Sequence, residues 1–171
     1  RMRYTYHYDS PLGGITLASD GEGLTGLWFD GQKYFGAGLE ADHEEMGQGG
    51  EILPVFEETA KWLDIYFEGR EPDFTPRLHL QGSPFRMEVW DILLKIPYGK
   101  TMTYKEIAGE IAGRRGITSM SAQAVGGAVG HNPVSIIVPC HRILGTDGSL
   151  TGYAGGVEKK RSLLALERGE K

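Results

Sequence analysis

The chain has 171 residues, of which 40% are hydrophobic, and it carries 18 basic and 23 acidic side chains. That length can bury a real core in one large or two small domains, and the composition is that of an ordinary globular protein. The single cysteine excludes an internal disulfide and a cysteine-rich zinc cluster. We therefore expect no bound metal and no cofactor.

The net charge of −5 is divided unevenly along the chain. Residues 1–82 carry 6 basic against 15 acidic side chains, whereas residues 83–171 carry 12 against 8. This asymmetry fits a protein whose second half alone faces a polyanion, but a solvated mixed-charge surface explains it equally well. No apolar run reaches membrane-spanning length and the first residues lack the apolar stretch of a signal peptide, so we expect a cytoplasmic protein without membrane contact.

The first part of the chain predicts a small sheet followed by one helix. Segments rich in β-branched and aromatic residues, separated by glycine-containing turns, predict an antiparallel meander over residues 3–8, 14–19 and 24–29. Residues 36–50 are rich in glycine and acidic side chains and predict an exposed, mobile loop. Apolar residues at helical spacing predict a helix over residues 52–68.

A proline-containing stretch, residues 70–82, predicts a surface linker between two domains. Ser83 and Pro84 then predict the start of a helix, because serine caps helices and proline is favoured at the first helical position. We therefore divide the chain into an N-terminal domain over residues 1–82 and a C-terminal domain over residues 83–171.

The C-terminal domain contains the pattern of a helix-turn-helix. Thr103 and Glu106 have the spacing of a capping box, which predicts a helix that ends near residue 112. After a basic loop over residues 113–118, a second short helix follows a serine cap. Two short helices across a tight connection are typical of a helix-turn-helix, and a last helix is predicted over residues 157–168.

The second of these helices, over residues 121–130, is unusually rich in small side chains. Each glycine in a helix costs up to about 1 kcal/mol relative to alanine, so something must offset the cost. Close packing against another helix is one explanation. The other is that a thin helix presses against the minor groove of DNA, which is too narrow for a bulkier one, with Gln123 reaching into the duplex.

The lone thiol, Cys140, stands between Pro139 and His141 after the apolar run 135–138, which predicts a β-like segment. Burial alone would raise the thiol pKa and leave the sulfur inert, so reactivity requires a base or a positive partner. His141 is the candidate base, although neighbours in an extended segment point apart, which calls for a bend or a bridging water. Arg142 could bind phosphate or anchor the loop.

Two further residues are candidates to support the thiol. Glu167 falls beside an apolar helix face, which suggests either a Glu–His–Cys relay or a solvated carboxylate at a frayed helix end. Asn132 precedes Pro133, which suffices to end a helix, but its amide could also tie the helix to the cysteine loop.

Together these motifs closely resemble the O6-alkylguanine-DNA alkyltransferase family, in segments that span most of the C-terminal half: residues 103–108, 124–128, 132–133, 139–142 and 152–156. The resemblance implies an α+β fold, with a ribonuclease H-like N-terminal sheet and helix and a mainly helical C-terminal domain that contains a winged-helix-like helix-turn-helix. It implies a monomer that binds double-stranded DNA containing O6-alkylguanine, flips out the damaged base and takes the alkyl group onto its cysteine in a single turnover.

The resemblance also implies roles for individual residues. Cys140 would be the acceptor, His141 its base through water, Glu167 the group that orients the imidazole, and Asn132 the residue that orders the loop. Tyr104 would also donate a proton to guanine N3. The implied base-site residues are Tyr104, Val138, Pro139, Tyr153 and Ala154, and the implied DNA contacts are Ser121, Ala122, Gln123, Gly126, Gly127, Arg114 and Arg115.

The chain departs from the best-known members at Gln123, where they carry an intercalating arginine, which suggests weaker flipping or an altered lesion preference. Three other functions compete with the implied one. A regulatory DNA-binding module would not need Pro139-Cys140-His141-Arg142, and an alkyl-lesion sensor without repair would lack the nucleophile. A turnover cysteine hydrolase would need an oxyanion hole, which the sequence does not reveal.

Overall fold

The computed structural model describes residues 2–39, 43–47 and 50–170. The chain forms two compact units, one made of residues 1–81 with residues 133–135, and the other of residues 82–132 with residues 136–171. Three residues from the C-terminal half of the sequence thus belong to the first unit. Within the described residues, no helix is both long and apolar enough to cross a bilayer.

The first unit is built on a four-stranded sheet in the order β3-β2-β1-β4. β1 (Arg3–Ser10), β2 (Gly13–Ser19) and β3 (Leu24–Phe29) are antiparallel neighbours, which confirms the predicted meander. The free edge of β3 is extended by single bridges from Leu24 to Leu78 and from Leu27 to Val134.

The sheet has a fourth strand that the sequence pattern does not predict. β4 (His43–Met46) runs parallel to β1, so the loop prediction for residues 36–50 is wrong at these positions, while residues 40–42 and 48–49 lie outside the described residues. Three of the four side chains of β4 are polar, and the strand is held through its backbone at a sheet edge. Period-two hydrophobicity, the usual sequence signal of a strand, is therefore absent.

Helix α1 (Pro54–Phe67) starts with proline at its first turn and buries one face, which includes Phe56, Trp62, Leu63 and Tyr66. The prediction for residues 52–68 is confirmed apart from its first two residues and its last, since the helix runs from Pro54 to Phe67 and Glu68 is its C-cap. Gly69 follows with φ 85°, a left-handed conformation that glycine adopts without steric cost and that ends the helix.

The second unit is mainly helical, and its predicted capping signals are confirmed. The Ser83 hydroxyl accepts a hydrogen bond from the Arg86 amide, and the Thr103–Glu106 capping box is formed in both directions. The elements in chain order are α2 (Pro84–Leu94), β5 (Met102–Thr103), α3 (Tyr104–Arg115), α4 (Ala122–Gly130), a 3-10 turn (Cys140–Arg142), β6 (Ile143–Leu144), which pairs with β5, and α5 (Val157–Glu167).

Two local predictions in this unit are wrong. Helix α3 continues to Arg115 and ends at Gly116 in the left-handed conformation, so the basic residues expected in a loop lie in its last turn. Residues 135–138 are not extended; they form a turn in which Ile136 has φ 69°. Positive φ is strained for a β-branched residue, which is why an apolar run of this composition indicates a strand instead.

Candidate active site

Cys140 opens the 3-10 turn that follows Pro139, and it is only 6% exposed. Burial raises the pKa of its thiol above the ordinary value. A hydrogen bond from Asn132 and the positive charge of Lys160 act in the opposite direction, because both stabilise the thiolate. The sulfur is thus shielded from bulk water but supplied with groups that favour its reactive form.

His141 lies in the same turn and is fully buried. Its Nε2 is 2.6 Å from Oε2 of Glu167. A carboxylate can only accept, so Nε2 carries the proton and the lone pair of the neutral ring is on Nδ1. Burial lowers the pKa of His141 and outweighs the opposing effect of Glu167, so the imidazole is neutral at pH 7 and keeps a lone pair to accept a proton.

Glu167, at the end of α5, is buried and joins several elements of the unit. Its carboxylate accepts two hydrogen bonds from Arg142, at 2.8 and 3.1 Å, and one from the Gly99 amide at 3.0 Å. Burial alone would raise its pKa, but the bonds and charges of His141 and Arg142 outweigh burial and hold the pKa well below its usual range. Glu167 is therefore ionised, and the alternative of a solvated carboxylate at a frayed helix end is wrong.

Arg142 anchors the cysteine turn from inside the unit. Besides the paired contact with Glu167, its Nη1 donates to the carbonyl of Ile96 at 2.6 Å, so all three guanidinium nitrogens are used internally. A forked guanidinium–carboxylate contact of this kind fixes orientation as well as distance. The geometry favours the anchoring role over phosphate binding.

Asn132, just after α4, connects that helix to the cysteine segment. Its buried amide donates to the Val138 carbonyl at 2.7 Å and also bonds the sulfur of Cys140. The α4 end and the acceptor thiol are therefore held by one side chain, which is the second of the two interpretations of Asn132.

The side chain of Tyr104, at the start of α3, reaches the segment after residue 150. Its hydroxyl donates to the Thr151 carbonyl at 3.4 Å, and burial, followed by the negative charge of Cys140, raises its pKa. Gly152 has φ 74°, a backbone conformation that favours glycine, and a Cβ added there would lie 3.1 Å from the Tyr104 oxygen, which is a tight contact. The Tyr104 hydroxyl thus stays protonated near the sulfur.

Sequence reasoning missed Lys160. This lysine of α5 is fully buried, and its Nζ donates to the Thr151 carbonyl at 2.9 Å, the same oxygen that accepts from Tyr104. Burial lowers its pKa while the Cys140 charge raises it. The sequence signal is present but weak, since position 160 faces the buried side of α5 one turn before Leu163 and Leu164.

The remaining predicted base-site residues lie in the same unit. Val138 and Tyr153 are buried, Pro139 precedes the cysteine turn, and Ala154 lies in the turn after Tyr153. Two of them precede the Cys140 turn along the chain and two follow it, and their role in binding a base stays a prediction.

Helix α4 carries glycines on a surface that is open toward the outside of the unit. A Cβ added at Gly127 or Gly130 would meet no described atom within 4 Å, and one at Gly126 would make only ordinary contact with the Tyr104 ring. Packing among the described residues therefore does not explain these glycines. Gln123 is exposed in the first turn, which follows the Ser121 cap and Ala122.

Arg114 and Arg115 face α2 rather than open solvent alone. Arg115 Nη2 lies 2.8 Å from Glu88 and its guanidinium lies over the Phe85 ring, while Arg114 is 3.9 Å from Asp91. In this conformation both arginines link α3 to α2. A contact with DNA phosphate would compete with their ion pairs to the acidic side chains of α2.

Among the described residues, the side chains best placed to hold a metal lie in the first unit. Donor atoms of Asp20, Glu22 and His79 all lie within 4.8 Å of one another. Asp20 is also 3.5 Å from the Arg3 guanidinium and accepts from the Glu22 and Gly23 amides, so hydrogen bonds and an ion pair account for the grouping.

Two family sequence models match the chain. The model described as 6-O-methylguanine DNA methyltransferase, DNA binding domain, matches residues 84–169, and that described as 6-O-methylguanine DNA methyltransferase, ribonuclease-like domain, matches residues 2–80.

Curated relatives are similar to this chain over nearly its whole length. A methylated-DNA--protein-cysteine methyltransferase of Mycobacterium tuberculosis is 44% identical over 95% of this chain and 92% of the relative, and one of Haemophilus influenzae is 42% identical over 98% and 87%. The crystal structure of Mycobacterium tuberculosis OGT in complex with DNA is 40% identical and superposes with a TM-score of 0.82 over 97% of this chain and 93% of that one.

Proposed function

The chain belongs to the 6-O-methylguanine DNA methyltransferase family, and on that premise we propose that it repairs duplex DNA by transferring the alkyl group of O6-alkylguanine to Cys140. The observation that carries this assignment is the thiol itself: one buried cysteine bonded by Asn132 and followed by a histidine fixed on Glu167. A non-repairing lesion sensor has no use for that arrangement.

The first chemical step is activation of the sulfur. Nδ1 of His141 takes the thiol proton through a bridging water, and the resulting imidazolium is stabilised by the Glu167 carboxylate already in contact with Nε2. The thiolate is in turn stabilised by the Asn132 amide and the Lys160 charge. The low resting pKa of the imidazole and the high one of the thiol mean that the thiolate forms only transiently.

Transfer then exchanges one bond for another. The Cys140 sulfur forms a bond to the alkyl carbon, the bond between that carbon and guanine O6 breaks, and its electron pair stays on the base. Tyr104 is proposed to protonate guanine N3, and the proton held by His141 later returns to Tyr104 through solvent. A thioether has no easy reverse reaction, so each molecule acts once.

Helix α4 supports the DNA part of the proposal. The O6 atom is stacked and paired inside the duplex, so the base must leave the stack to reach a buried thiol. Glycines at 127 and 130, where a Cβ would meet no described atom, are explained if a binding partner approaches the backbone of α4 closely. The widened minor groove of DNA is such a partner. Gln123 at the exposed first turn would fill the gap and bond the orphaned cytosine.

The same proposal covers the narrower partner and site predictions. We infer that the protein works as a monomer in the cytoplasm, where a free acceptor thiol stays reduced. Guanine O6 is the proposed target because the family is named for it, and Tyr104, Val138, Pro139, Tyr153 and Ala154 are the proposed base-site residues.

The decisive experiment is a stoichiometry measurement. Duplex DNA containing one O6-methylguanine is incubated with the protein, and intact mass spectrometry with peptide mapping follows the methyl group. We expect one added methyl, about 14 Da, per molecule and only at Cys140, with none in Cys140→Ser. A methyl group elsewhere, repair by Cys140→Ser, or several repaired duplexes per protein would contradict the proposal.

A further inference from the structure

The chain leaves the second unit and returns to it just before the acceptor cysteine. Residues 133–135, the bridging segment, belong to the first unit, although Asn132 and Ile136, their neighbours in the chain, belong to the second. The proposed chemistry makes no use of this path. Since the bridging segment lies between Asn132 and Cys140, two residues that are bonded to each other, it is placed to control their geometry.

The bridging segment is paired with strand β3. The Leu27 amide donates to the Pro133 carbonyl at 2.9 Å, and the Ser135 amide donates to the Leu27 carbonyl at 3.0 Å. Val134 lies between these two bonds and is fully buried, as is Leu27. The Ser135 hydroxyl adds a contact of 3.5 Å with the buried side chain of Gln32. Backbone bonds and buried side chains therefore both hold the segment in place.

The turn that follows the bridging segment is fixed at both ends. Ile136 comes directly after Ser135 and has φ 69°, a conformation that costs about 1–3 kcal/mol and persists only where the surrounding structure enforces it. At the other end, the Asn132 amide donates to the Val138 carbonyl at 2.7 Å. The turn is thus held under strain between two anchors, and Cys140 lies two residues beyond the second one.

Loosening the first anchor has a defined chemical consequence. The Asn132 amide bonds the Cys140 sulfur and acts to lower the thiol pKa. Such a bond weakens steeply with misalignment, and displacement of a reacting group by about 1 Å can cost a factor of about 100 in rate. A turn released at Ser135 would carry the sulfur away from this donor, so the thiol would become less acidic and alkyl transfer would slow.

We propose that Val134, together with the backbone bonds on either side of it, is a positioning residue for Cys140: the bridging segment anchors the turn that places the sulfur against Asn132. The bridging segment thereby gives the sheet of the first unit a part in the chemistry of the cysteine. The effect on the rate of repair rests on the proposed function, whereas the effect on the thiol does not.

The test compares Val134→Ala and Val134→Thr with Leu63→Ala, all in the full chain. The two Val134 variants weaken the anchor, one by removing buried volume and the other by burying a hydroxyl group. Leu63 is fully buried in α1 of the same unit, and its truncation controls for a general loss of stability. Urea unfolding establishes a temperature at which the variants are folded, and the assays are run there.

Two quantities are measured: the pH midpoint of Cys140 alkylation by iodoacetamide, and the single-turnover rate constant for repair of O6-methylguanine at saturating duplex DNA. We expect both Val134 variants to raise the midpoint and to lower the rate constant at least about tenfold, with unchanged affinity for undamaged duplex. Leu63→Ala should keep the midpoint and the rate constant of the parent.

The proposal is overturned if neither Val134 variant shifts the midpoint, or if Leu63→Ala shifts it as much as they do. If the parent repairs no O6-methylguanine while the midpoint still rises in the Val134 variants, the positioning role stands and the proposed function fails.

Discussion

Glu167 shows how a single residue controls both the stability and the chemistry of the site. Its carboxylate has a partner on each side, with the imidazole of His141 at 2.6 Å and the guanidinium of Arg142 at 2.8 Å. Removing one partner from a buried ionic group is far more costly than losing a surface pair, because the other charges stay buried without compensation.

We therefore expect Glu167→Gln to lower the free energy of unfolding by roughly 3 kcal/mol at pH 7. The folded pKa of Glu167 lies below its unfolded value, so its contribution is complete above the ordinary glutamate pKa of about 4.3 and is lost as the pH falls through the folded value. Urea unfolding of both proteins at several pH values measures this. A difference that did not shrink in acid would mean that ionisation is not the source.

Lys160 is the second residue whose effect can be isolated. Its positive charge lowers the pKa of the Cys140 thiol, so in Lys160→Met the pH midpoint of thiol alkylation by iodoacetamide should rise. Because the thiolate is the reacting form, a midpoint higher by one pH unit slows alkylation at pH 7 about tenfold. Lys160→Arg keeps the charge and should retain most of the parent midpoint. If both variants change the rate but leave the midpoint in place, Lys160 only packs the site.

How far the sequence predicts these site residues depends on how unusual each residue is at its position. Cys140 and His141 stand out through composition and position, whereas Glu167 and Asn132 are candidates that also have a structural explanation, and the structure brings these residues together. Lys160 does not, because a lysine on an otherwise polar helix normally extends into water. Its burial depends on the irregular segment around Thr151, whose carbonyl accepts from Lys160 across nine residues and is not marked by any periodic pattern.

At the level of elements, α4 carries a conflict between stability and function. Gly127 is helical and exposed, and a Cβ there would meet no described atom, so Gly127→Ala should raise the free energy of unfolding by about 0.5–1 kcal/mol. The added methyl group also projects from the surface proposed to enter the groove, so repair of O6-methylguanine in duplex DNA should slow. Thermal unfolding and single-turnover repair kinetics measure the two effects.

The control for this prediction is Gly109→Ala in α3, where a Cβ also meets no described atom within 4 Å. It should give a similar gain in stability while duplex repair keeps the parent rate, and reaction with the free methylated base should be unchanged in both variants. Unchanged duplex repair in Gly127→Ala would remove α4 from the close contact.

Element boundaries are predictable wherever a capping signal is local. Ser83 and Thr103 each start a helix through a hydrogen bond made within three residues. The turn at Ile136 and strand β4 are not predictable from the local sequence, because each depends on backbone pairing with a distant segment. Val134, next to the turn, forms a bridge with Leu27, and β4 pairs with β1. Tertiary pairing of this kind overrides local propensity.

At the scale of the whole molecule, alkylation of Cys140 should lower the stability of the fold. The thiol is buried and bonded by Asn132, which also holds the Val138 carbonyl next to the end of α4. A methyl group on the sulfur adds volume to a packed site, which typically costs about 1–3 kcal/mol, and the thioether is a weaker acceptor for the amide.

We expect the protein methylated at Cys140 to unfold at a lower temperature than the unmodified protein, by about 2–4 °C for each kcal/mol lost. Calorimetry before and after stoichiometric repair measures the shift. Asn132→Ala is the matched variant: it lacks the bond between α4 and the cysteine segment from the outset, so methylation should lower its unfolding temperature less. If methylation lowered the unfolding temperature of Asn132→Ala as much as that of the parent, or more, the effect of the methyl group would not be transmitted to α4 through the Asn132 amide.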